Sequence, residues 1–530
     1  MPTSTEEQRR DASPVVGVLP PDSQHRSMTT SAAQTRSFLK HAAVYGFGSV
    51  LMYAAGIVLL PLYTRYLRPA EFGTLEILNR IGEMFNICLM VNGIRSAALT
   101  FYCQSKTPQQ RQAAVVTLNL FLMVILVVAG VLVAVFAPLL GRLIELDRPT
   151  LLTFGVVTAL LDATTVVPLA LMQARVESLR FVCVSLSIFL FRVTLTIIAV
   201  TALGWGVWGI LAASAVTSAL FGGSLTVWEL RRGSLRSDLT TLGEVVRYTL
   251  PFVPAGLCMF LLHNADRFFL LRRIGVDGMG VYALGYKLAY AVGMVSVYPL
   301  LQVWRASMYP AFELPNASVV VGRFVTWMLA AYLFVGLGLC LLQEEVLLVF
   351  GSPRYGKATQ VIGLIVLAHF FFTAQNLMDS AFYVFRRTGL KPWLNLAAAI
   401  VTTALLAVLV RPFAAEGAAW ALVGGLFFYA LLTFVVSQRV FHVRYEFSRL
   451  ACMLLAAIGL VLVGQRLGSD PLGVLGKLTL WVAWPLVLCA TGVVTEEERL
   501  QARDVACSAL SWLKRSFAGR VSQSDGQVDL

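Results

Sequence analysis

Arg80 and Lys287 are the residues of this chain best placed to do chemistry, because each stands about two turns into a strongly apolar stretch. A cation there is costly to bury and ordinarily faces a water-filled cavity or an opposite charge. A repeat links the two. When TRYLRPAEFGTLEILNRI (64–81) is laid on LRRIGVDGMGVYALGYKL (271–288), Arg65 falls on Arg272, Leu67 on Ile274, Gly73 on Gly280 and Arg80 on Lys287. Equivalent cations on two halves that face each other would clamp an anion such as a diphosphate. The plainer reading is local pairing: Glu76 and Glu83 lie one turn either side of Arg80, within reach on one helix face.

Other polar residues interrupt the apolar segments: Asn79, Asn86 and Asn92, Asp162, Arg192, Asn264 with Asp266 and Arg267, and His369, Gln375, Asn376 and Asp379. Together they could line one aqueous path. Asn79, Arg192 and Asn376 therefore join Arg80 and Lys287 as candidate substrate-binding residues, and Glu83, Asp162, Asp266 and Asp379 are the candidate ion-coupling carboxylates. Each also has an ordinary role. Asp266 and Arg267 are neighbours suited to a structural ion pair, Asp379 can meet Arg386 or Arg387 two turns later, and His369 can hydrogen-bond between helices instead of relaying protons.

Catalytic residues, metal ligands and cofactor sites are not expected. The 8 cysteines are scattered through apolar runs with no C-x-x-C pair. GSPRYGKA (351–358) has the spacing of a phosphate loop, yet Ala358 replaces the required hydroxyl and no soluble strand and helix flank it. Asn316-Ala317-Ser318 matches a glycosylation acceptor by chance, since it falls on the inner side.

The elements that must position these groups follow from composition. Of 530 residues 58% are hydrophobic and 13% charged, and mean hydropathy is +0.75, which a water-facing surface cannot accommodate. Stretches of about 20 apolar residues recur about fourteen times, separated by short connectors, so the expected fold is an all-α polytopic membrane protein. Without a long connector there is no room for a soluble catalytic domain. The net charge of +13 suits cytoplasmic connectors facing anionic lipid, or a basic cavity, and not nucleic acid.

The expected organisation is a disordered cytoplasmic tail (1–36, with Met28 as an alternative start), six helices (37–230), a cytoplasmic linker (231–247) and six more helices (248–440). Two additional helices (441–494) follow, then an amphipathic helix and tail (495–530) in which Leu500, Cys507, Leu510, Leu513 and Phe517 share a face. GWGVWGILAAS (204–214) resembles EGAAWALVGG (416–425), which extends the repeat. An even number of helices separates the halves, so equivalent helices run the same way as two pseudo-symmetric lobes around a central cavity. Lys and Arg favour the connectors that place both termini in the cytoplasm, through Arg231, Arg232, Arg236 and Arg247, the Arg386–Lys391 turn, and Arg439, Arg444 and Arg449. Pro61, Pro168, Pro251, Pro254 and Pro299 are expected to kink the helices they interrupt.

LPLYTRYLRPAEFG through the second helix, ADRFFLLRRIGVDGMGVYALGYKL and LLVFGSPRYGKATQVIGLI resemble the polysaccharide flippases of the multidrug/oligosaccharidyl-lipid/polysaccharide superfamily, across about residues 38–490. The resemblance implies a V-shaped two-lobe bundle alternating between inward- and outward-open states in the bacterial cytoplasmic (inner) membrane. It also implies a polyprenyl-diphosphate-linked oligosaccharide as cargo, for O-antigen, capsule or exopolysaccharide synthesis, with membrane lipid and the polymerase and export machinery as partners. Arg80 and Lys287 best match the cavity cations of such relatives. The alternatives are a lipid II flippase, a drug/cation antiporter of the same superfamily, whose cavity should be acidic, and a membrane polysaccharide polymerase or glycosyltransferase, which should carry a long catalytic loop.

Overall fold

The structure, a computed structural model, describes residues 59–144, 149–231, 239–350 and 353–490. The amino-terminal tail, most of the first expected span, the centre of the 231–247 linker and the amphipathic carboxy-terminal segment lie outside the described residues.

Every described element is helical. In chain order these are α1 (Leu60–Tyr66), α2 (Pro69–Cys88), α3 (Val91–Gln104), α4 (Pro108–Ile144), α5 (Pro149–Ala163), α6 (Val166–Ala174), α7 (Ser178–Ile197) and α8 (Gly206–Arg231). They continue as α9 (Leu239–Thr249), α10 (Phe252–Ser296), α11 (Tyr298–Phe312), α12 (Ala317–Leu341), α13 (Gln343–Phe350), α14 (Thr359–Met378) and α15 (Ser380–Val384). The last three are α16 (Lys391–Val440), α17 (Phe447–Gly464) and α18 (Pro471–Ala490). Ten helical runs are long and apolar enough to cross a membrane, or eleven when α2 and α3, which meet at 48°, count as one span. Rows of exposed Val and Leu, such as Val124, Val127, Val131 and Val135 on α4, require an apolar solvent. The chain is a multi-pass membrane protein.

Two runs are too long to be single spans. A straight helix of 55 residues, Leu242–Ser296, would extend roughly 80 Å, against about 30 Å of hydrocarbon. Each long run folds back at a left-handed residue, Gly275 (φ 69°) in α10 and Ala414 (φ 47°) in α16. Side chains prove the reversal. The Tyr282 hydroxyl donates to Asp266 at 2.7 Å, although a straight helix would hold those residues roughly 24 Å apart, and the Tyr429 hydroxyl likewise donates to Asn395 in α16. Phenylalanine at position 282 is expected to cost about 1.5–3 kcal/mol, the value of a hydrogen bond to a charged acceptor. A lowered thermal midpoint in detergent checks it, and an unchanged midpoint would show that the two arms do not meet.

The internal repeat is visible in the backbone. The register that lays Arg80 on Lys287 also lays Val91 on Tyr298, and both second spans break there: α3 restarts at Val91 after the left-handed Met90, and α11 restarts at Tyr298. Left-handed residues recur at corresponding connections, Val176 with Arg386 and Gly204 with Ala414. In each half the second, fourth and sixth spans pack together, α2 with α5 and α5 with α8, then α10 with α14 and α14 with α16.

The second and eighth spans are therefore broken, and the prolines act differently from the expected mid-helix kink. Pro61, Pro168, Pro254 and Pro299 sit in the first turn of a described helix, and Pro251 caps α10. A missing N–H costs nothing there, because first-turn amides have no helical acceptor. α17 packs on α12, and α18 docks on α12 through Trp481, whose indole donates to the Phe334 carbonyl at 2.9 Å, and on α13 through Lys477, 2.8 Å from Glu345.

Candidate functional site

The site begins with two glycines. α2 and the second arm of α10 cross so closely that a Cβ on Gly73 would overlap the Val276 carbonyl oxygen, and a Cβ on Gly280 would overlap that of Pro69. The contact is reciprocal, since the repeat register pairs Gly73 with Gly280 and Pro69 with Val276. A pseudo-twofold axis therefore passes between the glycines. Groups one to two turns further along both helices must meet.

They meet on Glu76, which is 2% exposed. Its carboxylate lies 3.3 Å from Arg80 Nε on its own helix, 2.8 Å from Lys287 Nζ across the axis and 3.9 Å from Arg267 Nε on the first arm of α10. The register counterpart of Glu76 is Ala283, so two repeat-equivalent cations share one carboxylate instead of having one each. Arg80 further donates to Glu83 at 2.6 Å and to the side-chain amide oxygen of Asn264 at 3.1 Å. Arg267 pairs with Asp266 at 2.8 Å and stacks over Tyr286, and Lys287 lies over Phe72 at 4.7 Å. Three cations face three carboxylates. Burial without that balance would cost several kcal/mol per ion.

Beside the cluster opens a cavity of about 650 Å³ within the first half, reached by Lys287 from the second. Asn79, Asn86, Asn92 and Glu83 enter from α2 and α3, and Asp162 and Arg192 from α5 and α7. Arg192 donates to Asp162 at 2.6 Å and to Ser218 at 3.0 Å, so this cation is also compensated. The lining is charge-balanced and, among apolar side chains, carries the three amides of Asn79, Asn86 and Asn92, which donate and accept simultaneously and suit hydroxyl-bearing molecules.

The expected single aqueous path is divided. Asn376 and Asp379 lie apart from Arg80, around a second cavity of about 310 Å³ in the other half, with Trp304, Arg305 and Tyr383. Asp379 meets neither Arg386 nor Arg387 but Lys391, at 2.6 Å. The chain turns through the left-handed Arg386 after α15, which carries both arginines away and brings the first residue of α16 back. His369 bonds the Ile365 carbonyl of its own helix at 3.0 Å instead of a neighbouring helix, and packs against Tyr286 and Tyr290. All four candidate coupling carboxylates, Glu83, Asp162, Asp266 and Asp379, are ion-paired in this conformation. Sequence reasoning did not single out Tyr282, and it used Lys391 only as a cytoplasmic connector charge, since neither a tyrosine in an apolar run nor a lysine in a connector announces a distant partner. Among the described residues no His, Cys, Asp and Glu group is arranged to hold a metal ion.

Residues 62–312 match the family described as "Polysaccharide biosynthesis protein". No curated protein sequence matches significantly. Among solved structures, the lipid II flippase MurJ in an inward closed conformation is similar over 86% of this chain and 98% of that one, with a TM-score of 0.63 and 10% identity. An inward-facing multidrug resistance MATE family transporter of the MOP superfamily is similar over 74% of this chain and 94% of that one, with a TM-score of 0.59 and 14% identity. The outward-facing form of such a transporter gives a TM-score of 0.53 at 13% identity, over 76% and 95% of the two chains. At such identities the shared property is the fold. The family match thus covers residues 62–312, and the helical architecture of the chain is the one shared by these transporters and this flippase.

Proposed function

We propose that the chain is a flippase that carries a polyprenyl-diphosphate-linked oligosaccharide across the bacterial cytoplasmic membrane by alternating access, with both termini in the cytoplasm, for surface polysaccharide synthesis. We read it as a transporter and not an enzyme. The observation that carries the reading is the convergence of Arg80 and Lys287, one from each half, on a single buried carboxylate at the edge of the cavity that carries the three amides. A diphosphate is the cargo group that could take over those cations from Glu76 when the halves part. Charge-assisted contacts to phosphate oxygens are the strong ones, and the guanidinium of Arg80 matches them in shape. The glycan fits the cavity of Asn79, Asn86 and Asn92, while the lipid tail can stay in the bilayer. A carrier for cationic drugs would instead call for surplus carboxylate, and here Glu83 and Asp162 each already hold an arginine. The polymerase and export machinery that consume the flipped product are the partners this role requires.

The test is flipping of a fluorescent polyprenyl-diphosphate oligosaccharide in proteoliposomes, with lipid II and a cationic drug as competing cargoes. Arg80→Ala and Lys287→Ala, at matched folded levels, are each expected to slow flipping about 10- to 100-fold, the value of one charge-assisted contact. Parent-like rates in both would remove the diphosphate role from these residues. A parent that moves lipid II or the drug but not its own glycan lipid would refute the cargo.

A further inference from the structure

Each half of the molecule turns a corner after its fourth span, and the two corners differ in charge. In the first half the turn is at Arg175–Glu177, through the left-handed Val176, and it lies against the end of α8. That corner neutralises itself. Arg175 makes a two-pronged bond to Glu229, at 2.8 and 2.6 Å, and Arg180 pairs with Glu177 at 3.2 Å while lying over Trp228.

In the second half the left-handed residue is Arg386, and the register that pairs it with Val176 places Arg387 on Glu177. The end of α16, which corresponds to the end of α8, presents Arg439 where α8 presents Glu229. Both acids of the first corner thus give way to arginines in the second. Arg386, Arg387 and Arg439 line one open cavity of about 620 Å³ together with Phe385, Leu390 and Val440. Among the described residues no carboxylate lies within ion-pair distance of any of the three, and the neighbouring Lys391 is already committed to Asp379. Three guanidinium groups gathered with no carboxylate partner among the described residues repel one another, and a bound anion relieves the repulsion.

We propose that this corner binds the phosphate headgroup of an anionic phospholipid, which supplies from the bilayer the negative charge that Glu177 and Glu229 supply within the first half. Guanidinium forks match the oxygens of a phosphate ester. The apolar rim of Phe385 and Leu390 suits a lipid better than a free ion, and the exposed row Trp393, Leu396 and Ile400 begins one turn beyond Leu390, where acyl chains can lie. The corner is the turn whose basic charge the connector bias assigns to the cytoplasm, the face where anionic headgroups exert an attractive potential. This inference does not depend on the flippase reading, because the site lies away from Arg80, Glu76 and Lys287.

The experiment uses the full chain purified in detergent. Retention of phosphatidylglycerol and phosphatidylcholine is compared by native mass spectrometry, and thermal midpoints are measured with each lipid added, since a ligand that binds only the folded state raises the midpoint. The parent is expected to retain phosphatidylglycerol preferentially and to gain stability from it. R439E, which restores an acid at the end of α16, should lose that preference by about tenfold or more while keeping at least the parent's midpoint in phosphatidylcholine. The double variant R387Q/R439Q, which introduces no new charge, should lose the preference as well and reads the same point should R439E fold poorly. Equal retention of the two lipids by the parent, or an undiminished preference in both variants, would overturn the proposal. Stabilisation by inorganic phosphate equal to that by phosphatidylglycerol would overturn the assignment to lipid.

Discussion

Gly280→Val is expected to force apart the helix crossing on which the charged cluster depends. The side chain would have to occupy the space of the Pro69 carbonyl oxygen and the Gly73 amide, and backbone atoms cannot swing aside as a flexible side chain can. Overpacking in a tight interface costs typically about 1–3 kcal/mol, and the upper end applies where the obstacle is backbone, so the closed arrangement should lose population on the order of 100-fold. The effect should reach the adjoining contacts between halves, where Thr64 Oγ1 donates to the Phe350 carbonyl at 2.7 Å and the Tyr355 hydroxyl donates to the Leu67 carbonyl at 3.3 Å. Spin labels at Tyr66 and Arg354, both exposed beside those contacts, report the separation directly. A lengthened and broadened distance is expected in Gly280→Val, and in Gly73→Val by the same reciprocal geometry. A distance distribution identical to the parent's would show that the crossing yields elsewhere and does not hold the halves together.

Glu76→Gln should be the most damaging single change in the cluster. It leaves Arg80, Arg267 and Lys287 facing an uncharged amide in a nearly dry site, and removing one partner from a buried ionic network costs about 3–5 kcal/mol. Asp266 and Glu83 still compensate two of the cations, so the deficit falls chiefly on Lys287, which pairs with no other acid among the described residues. The expected result is a strongly lowered thermal midpoint in detergent. A second arm of the measurement separates a structural role from a binding role. If the cluster takes the cargo's diphosphate in place of the carboxylate, added polyprenyl diphosphate should restore part of the midpoint of Glu76→Gln and do so more effectively than for the parent, whose cations are already occupied. Full destabilisation with no response to the diphosphate would reduce Glu76 to a structural counter-ion and withdraw the clamp.

Several features were legible in the chain before any coordinates. Hydropathy determines that the protein spans a membrane many times, because a backbone inside lipid must satisfy its own hydrogen bonds and only helices do so within a single segment. The laying of Arg80 on Lys287 came from the sequence as well, and the matched breaks at Val91 and Tyr298 show the same register in the backbone. The pairing of Arg80 with Glu76 and Glu83 was readable too, since helical spacing places all three on one face.

Local pattern could not supply the partners that come from distant segments. The hairpins at Gly275 and Ala414 bring Tyr282 to Asp266 and Tyr429 to Asn395, and the turn at Arg386 exchanges the expected partners of Asp379 for Lys391. The sharing of Glu76 by Arg80, Arg267 and Lys287 depends on how closely two helices approach, which two glycines permit but do not by themselves announce. Likewise the separation of Asn376 and Asp379 from the cavity around Asn79 follows from which side of its bundle each helix presents. By itself the sequence determined the membrane fold, its repeat and the identity of its costly charges, because burial in lipid is paid residue by residue along the chain. Which charges neutralise which, and which corner finds no counter-ion among the described residues, was decided only by tertiary structure, because electrostatic pairing depends on distances between segments that the order of residues does not contain.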